Sequence, residues 1–225
     1  MLNQPVPRRS FLTRLAAATA AIGAAFGGTA VLPSAAAAAA SPFPADEMDN
    51  WFAGMKGTYK SFYDCAAQSS AHDGVMFARN LIKFSAEKLG TKDADNSVVV
   101  CFRHFATPFG YTDAMWAKYP QLATMLGIND PKTKAPATRN WLLHDLVEGE
   151  AGANLPGLTS HGVQYAICGA ATAHFAKALA GKTGDMKKIE SDLSANLIPG
   201  ARMAPAGVVA VQRAQKAGFA YTHAG

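Results

Sequence analysis

A chain of 225 residues with a formal charge of +5 has the length for one compact domain with a real core. Arg8, Arg9 and Arg14 supply three of those charges and no acid precedes Asp46, so the chain beyond them stands at only about +2, too little for a phosphate-binding surface. Nucleic acid is therefore excluded as an expected partner, and an odd count of three cysteines excludes a fully paired disulfide scaffold.

Residues 1–40 carry the three parts of an export signal. Arg8-Arg9-Ser10-Phe11-Leu12-Thr13 is a twin-arginine pattern, Leu15 to Leu32 is weakly apolar, and the alanine run to Ala40 offers small-residue cleavage sites. The reading is a Tat-type signal peptide and a periplasmic mature protein. A general secretory signal and an uncleaved anchor are the alternatives. No second apolar stretch is long enough to span a membrane, so no stable insertion is expected after cleavage.

Residues 41–57 read as a linker with a short amphipathic piece around Met48 to Met55, followed by a single domain over 58–225. Tyr59 to Asp64 predicts a first strand ending at Cys65, a polar loop runs from Ala66 to Asp73, and a helix is predicted from Gly74 to Leu89, stopped by Gly90. Val98-Val99-Val100-Cys101-Phe102 is apolar without alternation, the mark of a central strand covered on both faces. Arg103 and His104 follow it, then a loop to Gly110 and a short helix from Thr112 to Lys118. Residues 127–157, with three prolines, read as an irregular insertion holding one or two short helices. Asp145 and Glu148, near His144 in this insertion, read as a solvated face.

Val163 to Cys168 predicts a strand and Ala170 to Leu179 an alanine-rich helix, which sets Cys168 at the helix N-terminus. Unpaired N–H groups and the positive end of the helix dipole favour a thiolate at such a point and lower a thiol's pKa. A charged segment covers 181–194, Leu197 to Pro205 gives a turn and short strand, Ala206 to Lys216 a helix, and Phe219 to Thr222 the last strand. Five strands alternating with helices argue a three-layer α/β/α domain with a mostly parallel sheet.

His161 to Gly169, Asn196 to Val208 and Arg213 to Tyr221 together resemble the DsrE/DsrF-like family of sulfur-handling proteins. The resemblance covers the chain from Tyr59 onward and is most specific over its last 65 or so residues. It implies a five-stranded parallel sheet of flavodoxin-like type, assembly into trimers or hexamers, and, at the position of Cys168, a cysteine that carries sulfur as a persulfide. Its partners would be a sulfur donor or acceptor protein or a small thiol. The export signal and the long insertion depart from the family's cytoplasmic relay members. The strand order it implies sets the strand before His104 between those of Cys65 and Cys168, which holds the two cysteines about 10 Å apart, beyond disulfide reach.

On this reading the strand C-termini bring together Cys168 and His104 as catalytic candidates, with Cys65, Arg103 and Gly169 around the substrate. His104 would take the thiol proton or hold an anion. A buried, inert Cys168 with Gly169 present only for packing is the competing reading; Cys101 reads as core, and His174 as packing or surface. A metal site of Cys65, His72, His104 and Cys168 has suitable ligands but no close-spaced pair, so neither metal nor cofactor is expected. The function expected is an exported sulfur carrier or sulfurtransferase. The alternative is a non-catalytic small-ligand or metal-binding module on the same fold.

Overall fold

A computed structural model describes residues 46–144, 146, 150 and 152–225. The export segment, and the pair Asp145 and Glu148, lie outside the described residues. The apolar run Val98 to Phe102 forms most of strand β2 (Asn96–Phe102), and its five side chains are at most 1% exposed. Successive residues of a strand point to opposite faces, so an unbroken apolar run demands a layer on each side. β2 is accordingly the middle strand of five. β1 (Tyr59–Cys65), β3 (Gln164–Cys168), β4 (Ala201–Ala204) and β5 (Ala220–His223) complete the order β4-β3-β2-β1-β5, with every pairing parallel. The fold is the three-layer α/β/α domain expected.

One face of the sheet buries Tyr63, Cys65, Val98, Val100, Phe102, Tyr165 and Ile167 beneath helices α2 (Gln68–Leu89) and α6 (Gly169–Ala180). The short helices α3 (Asp113–Lys118), α4 (Gln121–Leu126) and α5 (Leu155–Ser160) lie along the β2-to-β3 connection, and α7 (Met186–Ala195) follows α6. The opposite face buries Phe62, Val99, Cys101, Ala166 and Ala204 beneath α1 (Glu47–Gly54) and α8 (Gly207–Lys216).

Three expectations change here. The segment read as a linker supplies α1, whose Met48, Trp51 and Phe52, with Met55 just beyond, are core residues. Their i, i+3, i+4, i+7 spacing is a buried helical face, and Phe52 packs edge-on to Phe219 with ring centroids 5.4 Å apart. Helix α2 begins at Gln68, not Gly74: the Ser70 hydroxyl accepts the Ala67 N–H at 2.9 Å, so polar residues that resemble a loop in fact cap a helix. The charged segment 181–194 holds α7, capped by Asp185, whose carboxylate accepts the Lys188 N–H.

Helix α7 is tied to the end of α3 by Asp192, which accepts bonds from Lys118 Nζ at 2.6 Å and the Tyr119 hydroxyl at 2.7 Å. Lys118 first, then Tyr119, holds the Asp192 carboxyl down to about 2, against an ordinary 3.8. A carboxylate depressed in the folded state stabilises the fold above its unfolded pKa, and that contribution is lost as pH falls through the folded value. Asp192→Asn should therefore lower the thermal midpoint at neutral pH, and the gap to wild type should close between about pH 4 and pH 2. A gap that stays constant across that window would show the carboxylate charge to be irrelevant.

Candidate functional site

Strands β3 and β4 are neighbours, yet the helices that follow them leave toward opposite faces: α6 buries Phe175 on one side, α8 buries Ala210 and Ala214 on the other. Adjacent connections that part in this way open a crevice at the C-terminal edge of a parallel sheet, the usual place for ligand chemistry. A cavity of about 470 Å3 lies there, lined by Arg103, His104, Phe105, Cys168, Ala170, Ala171, His174, Phe175, Ala206, Gly207 and Val208. No carboxylate is among its lining residues. Phe105 and Val208, 44% and 62% exposed, make its apolar walls.

Cys168 is the N-cap of α6, a helix of 12 residues, and its Sγ accepts the Ala171 N–H at 3.4 Å. The thiol is 7% exposed, so it forms part of the cavity wall and does not project into solvent. Its carbonyl is held from behind: Thr172 Oγ1 donates to it at 3.0 Å, and Thr172 pairs with the buried Tyr111 hydroxyl at 2.8 Å. Gly169 lets α6 start hard against the end of β4. A Cβ there would stand 2.8 Å from the Ala204 carbonyl oxygen, and the next N–H, of Ala170, donates to Pro205 O at 3.0 Å. Gly169 thus sets the approach of the two elements and is not itself a lining residue.

His104 opens the turn after β2 with φ of 52°, a left-handed conformation that non-glycine residues seldom adopt. The turn throws its ring outward, where it lies 3.9 Å from the Phe105 ring, centroid to centroid. Arg103, just before it, is anchored by Asp64 at the end of β1, with Nε to Oδ1 at 2.6 Å and Nη2 to Oδ2 at 2.8 Å. Asp64 is 1% exposed and also accepts the Tyr221 hydroxyl at 2.9 Å. The Asp64 carboxylate beside it raises the Arg103 guanidinium pKa. Burial, and then the same carboxylate, push the Tyr221 phenol up.

The structure thus brings Cys168, His104 and Arg103 to one cavity and leaves Cys65 out of it. Cys65 is fully buried beneath α2, where its Sγ fills the space a Cβ at Gly74 would need. Burial, with Asp64 nearby, pushes that thiol well up, and burial does the same to Cys101. His72 lines a different cavity, beside Trp141 and His144, so the four residues weighed as a metal set do not converge. Among the described residues no cluster of three or more His, Cys, Asp or Glu side chains is arranged to hold a metal ion.

Among the lining residues that a reading of the sequence alone leaves out, two bear on the chemistry and the entrance. His174 lies one turn beyond Ala170 and Ala171 on α6, and that i, i+4 spacing from the helix start is the signal that could have found it. Val208 reads as inward from its apolar neighbours, yet it stands at the cavity mouth. Comparison with known proteins leaves this site to be read from its own geometry: no protein-family model matches the chain, and no match emerges among curated proteins or solved structures.

Proposed function

We propose that the protein carries sulfane sulfur on Cys168 and passes it to an acceptor thiol. The observation that carries this reading is that Cys168, of three free cysteines, is the one that lines the cavity, at the N-cap of a 12-residue helix, where its Sγ accepts the Ala171 N–H. The motifs from His161 to Val208 that resemble the DsrE/DsrF-like family support it independently. In the loading step the Cys168 thiolate forms a bond to the donor's sulfane sulfur as the donor's own bond to that sulfur breaks, and the electron pair leaves with the donor. In the unloading step an acceptor thiolate attacks the terminal sulfur and Cys168 departs as thiolate. His104 or His174 takes the initial thiol proton.

The same reading includes export by the Arg8-Arg9 segment, action in the periplasm, and assembly of several copies, each resting on the sequence. The competing reading, a non-catalytic small-ligand module, is favoured by the low exposure of the thiol. Intact mass after incubation with a polysulfide donor separates the two. A gain equal to whole sulfur atoms, confined to Cys168 and absent from Cys168→Ser, is the expected result, with Cys65 and Cys101 untouched in the folded protein. A thiol that takes up no sulfur at neutral pH overturns the carrier in favour of the module.

A further inference from the structure

We propose that the sulfur donor is a small inorganic sulfur oxyanion of the thiosulfate type, whose oxygens are held by Arg103 while its terminal sulfur meets Cys168. This inference rests on the sulfur-carrier reading and adds the class of substrate to it.

The lining of the cavity is chemically one-sided: an arginine, two histidines and a cysteine, with no carboxylate among the lining residues, the Asp64 that pairs with Arg103 lying outside them. Arg103 is also fixed in direction. Nε and Nη2 are committed to the buried Asp64, while Nη1 has no hydrogen-bond partner among the described residues. A guanidinium locked by one carboxylate presents its remaining donors without further loss of side-chain freedom, and a planar set of N–H groups suits an oxyanion.

Gly207 makes the second half of the cradle. A Cβ at that position would stand 2.4 Å from Arg103 Cβ, so the bare glycine is what allows the arginine stem to lie against the start of α8. Ala206, the N-cap of that ten-residue helix, has no side-chain acceptor. The first N–H groups of α8, those of Gly207 and Val208 at the cavity, therefore have no intrahelical partner. Beside a guanidinium they complete a donor set for an anion. On the other wall Ala171 N–H and Cys168 Sγ meet, and a volume of about 470 Å3 admits a small molecule readily. A neutral donor would use none of these oxyanion contacts.

The step balances without an outside oxidant. The Cys168 thiolate attacks the terminal sulfur of thiosulfate, a new S–S bond forms as the bond to the sulfonate sulfur breaks, and the electron pair leaves on sulfite. Cys168 is left as a persulfide.

The test compares thiosulfate with a neutral dialkyl trisulfide as donor to the full chain, reading by intact mass the Cys168 persulfide from thiosulfate, with the sulfite released, and the alkyl disulfide or trisulfide on Cys168 from the trisulfide, whose leaving group is the alkyl persulfide or thiolate. Wild type should load from thiosulfate with one sulfite per persulfide. Arg103→Lys should lower the thiosulfate rate at least about tenfold more than the trisulfide rate. Wild-type alkylation supplies a measurement that needs no variant: the iodoacetate to iodoacetamide rate ratio at Cys168 should exceed that of free glutathione by about tenfold. Loading from the trisulfide but not from thiosulfate overturns this proposal and leaves the carrier standing. Loading from neither overturns both. A glutathione-like alkylation ratio, or equal losses with the two donors in Arg103→Lys, also overturns the oxyanion cradle.

Discussion

Replacing Arg103 by methionine should cost the fold about 3–5 kcal/mol, the usual penalty for leaving a buried charge without its partner. Asp64 is 1% exposed and its two oxygens face Nε and Nη2 of Arg103; beyond that pair it has one hydrogen bond, from the Tyr221 hydroxyl, and the more distant His223 Nδ1 at 3.8 Å. Asp64→Asn should cost less, about 1–3 kcal/mol, because Arg103 keeps a quarter of its side chain in solvent and can rehydrate. The double change Asp64→Leu with Arg103→Met should recover most of the loss, since two apolar groups leave nothing unpaired. Urea midpoints of the three variants decide the matter. Equal destabilisation by all three would mean that packing, not the ion pair, holds this corner.

The second large effect is expected at Asn140, in the segment read as an irregular insertion. Asn140 is fully buried. Its amide donates to Phe109 O at 2.8 Å and Tyr111 O at 2.9 Å, its oxygen accepts the Leu142 N–H, and its own N–H reaches Asp113 at 2.8 Å. Asn140→Ala strips partners from two buried carbonyls at about 1–3 kcal/mol each, and should loosen Trp141, whose ring packs edge-on to Phe109 with centroids 5.1 Å apart. Denaturant unfolding and near-ultraviolet circular dichroism of the variant should both register the change. A loss below about 0.5 kcal/mol, the range of an ordinary surface substitution, would make the insertion a passive loop.

Strands β2 and β3 are legible because each is a short, mainly apolar run between turn residues, and β2 announces its central place by lacking alternation. Cys168 was legible for a related reason: the change from an apolar run to an alanine-rich segment falls on one residue, which is the N-cap found. What escaped depends on side chains far apart in the chain. Asp64, Arg103 and Tyr221 are separated by 39 and 157 positions along their bonds, and no local pattern marks such a set. Asn140 looks like any loop asparagine until its carbonyl partners are known. The sequence places Cys65 at a strand end, but the direction of its side chain, toward Gly74 of α2, follows from a register that only the folded sheet displays. Gln68 to Ser70 misled because a serine three residues into a helix and a serine in a loop are the same letter.

Cys65 and Cys101 occupy adjacent strands one register step apart, the first paired with Phe102 and the second with Asp64, and so lie on opposite sides of the sheet. Neither can reach the other without a strand turning over, and Cys168 is two strands from Cys65. All three cysteines are free, so the scaffold draws none of its stability from a disulfide. Any electrochemical memory the molecule keeps must be written at a single sulfur.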